Sequence, residues 1–150
     1  MFGQHPLQED INKLIRHYFD AKEDYRLACK RAAKELQPEL TEKINKRESM
    51  HMQMQQALTV LSGEPSDNGT VAADFKRDWE RLRGTVSGHA FEAALKLAEQ
   101  SDASALDLAE DLLRRTMTDN LKALIQSHVE ELRESQARVG QLLTTAAPAH

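Results

Sequence analysis

The chain has 150 residues, one cysteine, and 20 lysines and arginines against 24 aspartates and glutamates. A chain of this length is most simply one domain with its own core; its charge balance leaves no basic excess for nucleic acid, and one cysteine excludes an internal disulfide or a multi-cysteine metal cluster. No stretch approaches the roughly 20 apolar residues of a membrane span and the N-terminus has no signal-like apolar run, so we expect a cytoplasmic protein that binds neither nucleic acid nor membrane.

Helix one is predicted from Leu7 to near Leu36, because apolar and small residues keep one face over this stretch. Pro38 disfavours a helical conformation in the residue before it, so the first helix should end there and the second should begin at Pro38. A turn this short makes the two helices antiparallel neighbours. Lys22 lies on the inward stripe of helix one, where a lysine either directs its ammonium outward or meets an acid inside the bundle.

Helix two is predicted from Pro38 to about Leu61 and ends before Gly63, a glycine cap. Glu48 and His51 fall in a gap on its apolar face, which carries Ile44, Met54, Leu58 and Leu61. An acid three residues before a histidine is the pair that carboxylate-bridged metal bundles project inward. The alternative is that His51, like His128 further along the chain, is simply a hydrogen-bonded core or boundary histidine.

A short amphipathic helix is predicted within residues 70–84. Its apolar face carries Val71, Phe75, Trp79 and Leu82. The connection from Gly63 to Gly88 is too long for a hairpin and too apolar for a free linker. We therefore expect it to carry the chain from one end of a helical bundle to the other.

Helix three is predicted from His89 to about Arg115. Its apolar stripe has one empty place, which Asp102 occupies, and Glu99 lies beside it. The sequence Thr116–Thr118 then breaks the apolar pattern, so the helix should end before it.

Helix four is predicted to begin at Thr118, a residue type that caps helix N-termini. His128 fills an interior position and Glu131 borders the seam, so these two side chains share one face. Residues 1–143 are predicted to form the bundle, and residues 144–150 a flexible C-terminal tail.

Two hairpins of long helices joined by one long crossover predict an all-α, antiparallel four-helix bundle of ferritin-like form. The crossover sequence LSGEPSDNGTVAADFKRDWERLRG resembles that of a bacterial ferritin-like family of unknown function, whose helices are laid out as in rubrerythrin and ferritin. The resemblance continues through DAKEDYRLACKRA, LQPEL and AEQSDASAL, and it covers the chain from about Leu7 to Leu142.

The resemblance implies an incomplete metal site. It places carboxylate positions at Lys22, Glu48, Glu99 and Asp102, and histidine positions at His51 and near Gln136. The sequence departs from this pattern at 22 and at 136, where a lysine and a glutamine stand. Each departure removes a ligand, because an ammonium repels a cation and offers no lone pair.

Two interpretations of this site are open. If Glu48, Glu99 and Asp102 converge in a dry bundle they repel one another, and Lys22 would replace the metal as their counter-charge. The alternative is a shifted mononuclear site for iron or manganese, formed by Glu48, His51, Glu99, Asp102, His128 and Glu131.

Three functions are compatible with the sequence. The first is a non-catalytic structural or interaction protein that forms a homo-oligomer, most simply a dimer. The second is a metal-dependent oxidoreductase or iron-handling protein, and the third is a stress-linked adaptor that binds a partner through Met50, Met52 and Met54. We favour the first, because the sequence shows no nucleophile with its base, phosphate-binding glycine loop or cofactor fingerprint.

Overall fold

The structure, a computed structural model, describes residues 6–62 and 90–146. These residues form four α-helices and a short 3-10 helix at Lys34–Leu36, with no strand among them: α1 Leu7–Arg31, α2 Gln37–Ser62, α3 Ala90–Leu112 and α4 Asp119–Ala146. The predicted all-α four-helix bundle is thereby confirmed. The helix predicted within residues 70–84 lies outside the described residues.

The turn between α1 and α2 differs from the prediction. Helix α1 ends at Arg31, five residues before Leu36, because Ala32 is extended with ψ of 153°. The 3-10 helix fills the remaining turn, and the Gln37 side chain donates a hydrogen bond to the Ala32 carbonyl at 3.3 Å. Gln37 is itself helical although it precedes Pro38. The predicted end of helix one near Leu36 was therefore five residues too late, whereas the predicted start of helix two at Pro38 lies one residue from the observed start at Gln37.

The start of α4 follows the prediction. The Leu121 amide donates a hydrogen bond to Thr118 Oγ1 at 3.2 Å, which satisfies one of the free amides of the first turn. At its other end α4 continues to Ala146, three residues beyond the predicted limit of the bundle at 143.

The helices run antiparallel to their neighbours. Helix α1 packs between α2 and α3, and α4 packs on α3. Tyr25 of α1 bonds Asp102 of α3 while Asp10 bonds Arg115, so these two helices run in opposite directions. Because α1 and α2 also form a hairpin, α2 ends and α3 begins at opposite ends of the bundle. The crossover predicted between these ends falls on residues 63–89, which lie outside the described part of the chain.

The bundle has two apolar clusters with buried polar residues between them. The larger cluster joins residues of all four helices at one end, among them Ile11, Tyr18, Met54, Leu112 and Ile125. The smaller cluster lies toward the other end and includes Tyr25, Leu40, Leu95, Val139 and Leu142. Between them each helix contributes buried polar side chains, which we call the polar layer: Asp24, Lys43, Arg47, Ser101, Asp102 and Ser135.

Candidate functional site: a buried ion-paired layer

The polar layer is centred on an ion pair between Arg47 of α2 and Asp102 of α3. Arg47 Nε donates to Asp102 Oδ1 at 2.9 Å, and Nη2 donates to Oδ2 at 2.9 Å. Their side chains are 0% and 2% exposed. Burial opposes the charge of Arg47, but Asp102 outweighs it and raises the pKa of the guanidinium. The two charges are therefore kept together inside the bundle in a bidentate geometry.

A chain of hydrogen bonds leads from this ion pair toward α4. Tyr25 donates its hydroxyl to Asp102 Oδ2 at 2.6 Å. Its oxygen lies 3.1 Å from Ser135 Oγ, and Lys43 Nζ donates to the same Ser135 oxygen at 2.9 Å. Burial and the nearby carboxylate of Asp102 raise the pKa of Tyr25, so the phenol stays protonated and acts as a donor.

Glu131 of α4 lies at the edge of the polar layer. It accepts hydrogen bonds from Arg47 Nη1 at 3.2 Å and from Lys46 Nζ at 3.1 Å. Its side chain is 17% exposed, so it meets the buried guanidinium on one side and the surface on the other. Arg47 therefore compensates two carboxylates, Asp102 fully inside the bundle and Glu131 at its edge.

His128 of α4 is buried with both ring nitrogens bonded. The Tyr18 hydroxyl oxygen lies 3.0 Å from Nδ1 of the ring, and Gln53 Oε1 lies 2.8 Å from Nε2. A neutral ring that accepts at Nδ1 and donates at Nε2 satisfies both neighbours. Burial, helped by the charge of Arg47, lowers the pKa of His128 to about 4. The imidazole is therefore neutral at physiological pH.

A second polar group lies between α1 and α2, and we call it the α1–α2 pair: Lys22 with Glu48, next to His51. Lys22 Nζ donates to Glu48 Oε1 at 2.7 Å and lies 4.8 Å from the centre of the Phe19 ring. His51 is 5% exposed, and neither of its ring nitrogens has a hydrogen-bond partner among the described residues. Burial lowers the pKa of His51, and the charge of Lys22 adds to this effect.

A family model described as a domain of unknown function, DUF2383, matches residues 7–115 of the chain. The chain belongs to the DUF2383 family. The matched region contains α1, α2 and α3, and with them Arg47 and Asp102, whereas His128, Glu131 and Ser135 of α4 lie beyond it. Comparison with curated proteins finds no match, and comparison with solved structures finds none either. The resemblance of this DUF2383 member to rubrerythrin and ferritin stays a prediction.

The predicted site residues of this DUF2383 member are not gathered at one point. In the part of the chain that the structure describes, no three histidine, cysteine, aspartate or glutamate side chains are placed to hold a metal ion. Asp102 bonds Arg47, Glu48 bonds Lys22, and Glu99 is half-buried. The expected convergence of these three acids on Lys22 is corrected accordingly, because Lys22 bonds Glu48, whereas Asp102 bonds Arg47 of α2.

The inward face of α2 also differs from the prediction. The side chain of Glu48 is 46% exposed, whereas Lys43 and Arg47 are buried in its place. The first turns of α2 hold few apolar residues, so periodicity alone could not determine this face. Sequence reasoning therefore missed Arg47. The available signal was a basic residue seven positions before the buried Met54, facing a helix with Asp102 in its apolar stripe.

Proposed function

We propose that the protein is a structural or interaction bundle whose centre is held by its own ion pairs instead of a metal. The observation that carries this proposal is the bidentate bond between Arg47 and Asp102, with Glu131 on the same guanidinium. Carboxylates in a dry interior need a compensating charge, and in metal bundles the cation supplies it. In this chain a guanidinium occupies that role.

The α1–α2 pair supports the same proposal. Lys22 stands at a position where the family resemblance implies an acid, and it bonds Glu48 instead of facing solvent. The Lys22 side chain is 11% exposed, and its ammonium contacts both Glu48 and the Phe19 ring. Lys22 thus compensates Glu48, while Arg47 compensates Asp102 and Glu131.

We further propose that the bundle acts through its surface and forms a homodimer. The exposed large hydrophobic residues of the described chain are Met52 and Val60, at 56% and 83% exposure, and both belong to α2. Val60 borders a largely apolar groove of about 410 Å³ between α2 and α4. Apolar surface of this kind favours association. Sedimentation equilibrium across a hundredfold concentration range tests it, and a monomer throughout would contradict the dimer.

Metal binding is the second candidate, and His51 is the observation that favours it. A buried imidazole whose nitrogens lack partners in the described chain, three residues after a glutamate, has the free lone pair that a ligand needs. The donor set for iron or manganese would come from Glu48, His51, Glu99, Asp102, His128 and Glu131. Most of these side chains would first have to leave the partners described above.

Metal analysis separates the two candidates. Protein purified without chelators or a metal-binding tag is assayed for iron and manganese and then titrated with each metal during thermal unfolding. The ion-paired bundle predicts no stoichiometric metal and an unchanged melting temperature. A stoichiometric metal would contradict it, and at 100 times its dissociation constant that metal would add about 2.7 kcal/mol of stability.

A further inference from the structure

A polar groove lies between α2 and α4, apart from the apolar groove near Val60. Its volume is about 310 Å³. The groove is lined by carboxylates and bases of both helices together with one serine: Glu39, Glu42, Lys43, Lys46, Glu131, Glu134, Ser135 and Arg138. It has room for a molecule of a few heavy atoms beside the polar layer.

Lys43 differs from the other cations of this groove. Its side chain is buried, with the residue 8% exposed, and its amine donates a hydrogen bond to the neutral hydroxyl of Ser135. By contrast, Lys46 bonds Glu131 and Arg138 bonds Glu39 at 2.8 Å. In the described part of the chain, no carboxylate lies within ion-pair distance of the Lys43 nitrogen.

The hydrogen-bond chain behind Lys43 fixes the direction of its contact with Ser135. Tyr25 gives its proton to Asp102, so its oxygen is left to accept from Ser135. Ser135 thus directs its proton inward and presents lone pairs to Lys43. A neutral amine can donate one N–H to Ser135 and still keep its own lone pair for a molecule in the groove.

On balance, the surroundings of Lys43 favour loss of its proton. Burial lowers the pKa of its amine, and the guanidinium of Arg47 lowers it further. The carboxylates of Glu131, Asp102 and Glu39 oppose this from three helices, but do not reverse it. Burial beside another cation is one way in which proteins activate a lysine as a nucleophile.

We propose that Lys43 is a nucleophilic amine that reversibly captures a small uncharged aldehyde or ketone in the α2–α4 groove by forming an imine. The nitrogen lone pair attacks the carbonyl carbon, and the carbonyl oxygen takes up a proton that the nitrogen loses. The resulting hydroxyl then leaves as water with the second nitrogen proton, and the C=N bond forms. No oxidant or reductant is required, and hydrolysis by water releases the ligand.

The lining of the groove determines which carbonyl compounds it takes. Four carboxylates border it: Glu39, Glu42, Glu131 and Glu134. The other cations of the groove, Lys46 and Arg138, are each bonded to one of these carboxylates, so the groove repels anionic carbonyl compounds. Uncharged ligands of a few carbon atoms fit both the charge and the volume. This binding activity goes beyond the structural role proposed above and does not depend on it.

Reductive trapping tests the proposal on the full chain. Propanal and cyanoborohydride are added at pH 7.5, where hydride reduces any imine to a stable propyl-lysine, and each lysine is followed by peptide mapping. Burial and the Arg47 charge lower the pKa of Lys43, whereas the bond to Glu131 raises the pKa of Lys46, so Lys43 should be modified faster than Lys46. Equal or slower modification of Lys43 would overturn the proposal.

Two controls show whether the fold creates this reactivity. In 8 M urea the preference for Lys43 should disappear; if it persists, the groove does not cause it and the proposal fails. The Lys43→Arg variant should lose the fast modification, whereas Lys46→Arg should keep it. The comparison of lysines within the native wild-type chain still decides the matter if Lys43→Arg does not fold.

Glyoxylate tests the ligand class, because it is an anionic aldehyde. The rate of Lys43 modification, relative to that of the exposed Lys13, should be lower with glyoxylate than with propanal. The opposite order would contradict the uncharged ligand class.

Discussion

The bundle contains two buried histidines in opposite situations. His128 is 3% exposed and bonds Tyr18 and Gln53 through its two ring nitrogens. His51 is 5% exposed, and its ring nitrogens have no hydrogen-bond partner in the described residues. Both rings contact an aromatic side chain edge to face, Tyr18 for His128 and Phe19 for His51. The two histidines therefore have similar burial and similar aromatic neighbours, but of the two only His128 has hydrogen-bond partners for its ring nitrogens among the described residues.

The same difference separates the two ionic groups of the bundle. In the polar layer, Arg47 and Asp102 are both buried and form two parallel hydrogen bonds. In the α1–α2 pair, Lys22 is buried but the Glu48 side chain is 46% exposed. The comparison indicates that the polar layer forms a specific, satisfied network. The α1–α2 pair is a boundary contact beside an unsatisfied imidazole.

The largest expected effect is the loss of the central guanidinium. Arg47→Met leaves Asp102 buried without its counter-charge and should lower the free energy of unfolding by about 3–5 kcal/mol. Adding Asp102→Leu should recover most of this loss, because no charge is then left unpaired. Urea unfolding of the two single variants and the double variant measures the coupling.

The matched control is Arg138→Met, since Arg138 makes a similar contact with Glu39 on the surface. That change should cost much less stability than Arg47→Met, because solvent screens an exposed ion pair. If both arginine variants lose the same stability, the polar layer is not the stabilising network described above.

The second effect is a pH dependence that arises from His128. Its pKa of about 4 in the folded protein lies below its value of about 6.5 in an unfolded chain, so the unfolded state binds the proton first. Stability should therefore fall as the pH drops from about 6.5 toward 4, by up to about 3 kcal/mol from this residue. His128→Gln should flatten the curve of unfolding free energy against pH in this range. A curve as steep as that of the wild type would rule out His128 as its source.

The third effect distinguishes the two histidines directly. His128→Leu removes the partner of Tyr18 and Gln53 and should destabilise the protein by about 1–3 kcal/mol. His51→Leu removes two buried nitrogens that lack partners in the described structure, so it should be neutral or stabilising by about 1 kcal/mol. Thermal unfolding in metal-free buffer measures both. A loss at His51 as large as that at His128 would show that its nitrogens are satisfied in solution.

The smallest effect is expected for the Lys22 and Glu48 bond. Because Glu48 is half-exposed, solvent screens the pair, and Glu48→Gln should change the free energy of unfolding by less than about 1 kcal/mol. The change should shrink further in 1 M salt. Double-mutant cycles with Lys22→Met measure it, and a coupling above 2 kcal/mol would place this contact in the same class as the polar layer.

Local chemistry explains which features of the site were predictable. Asp102 and His128 interrupt strong apolar stripes, and both are buried as expected. His51 is also inward-facing as predicted, although the interpretation of its neighbour Glu48 as a core acid was wrong. Where apolar residues are dense, periodicity defines the buried face; on the first turns of α2 they are sparse, and the face was misplaced.

The sequence by itself determined the helices, the cap at Thr118, the antiparallel hairpins and the need to join opposite ends of the bundle, because these depend on spacing and on local capping. Only the tertiary structure decided that Arg47 compensates Asp102, that Ser135 directs its lone pairs to Lys43, and that His51 is left without a partner in the described chain. The contacts of Arg47 with Asp102 and of Lys43 with Ser135 join different helices far apart in sequence. Their formation depends on helix rotation and side-chain reach, which a one-dimensional pattern does not contain.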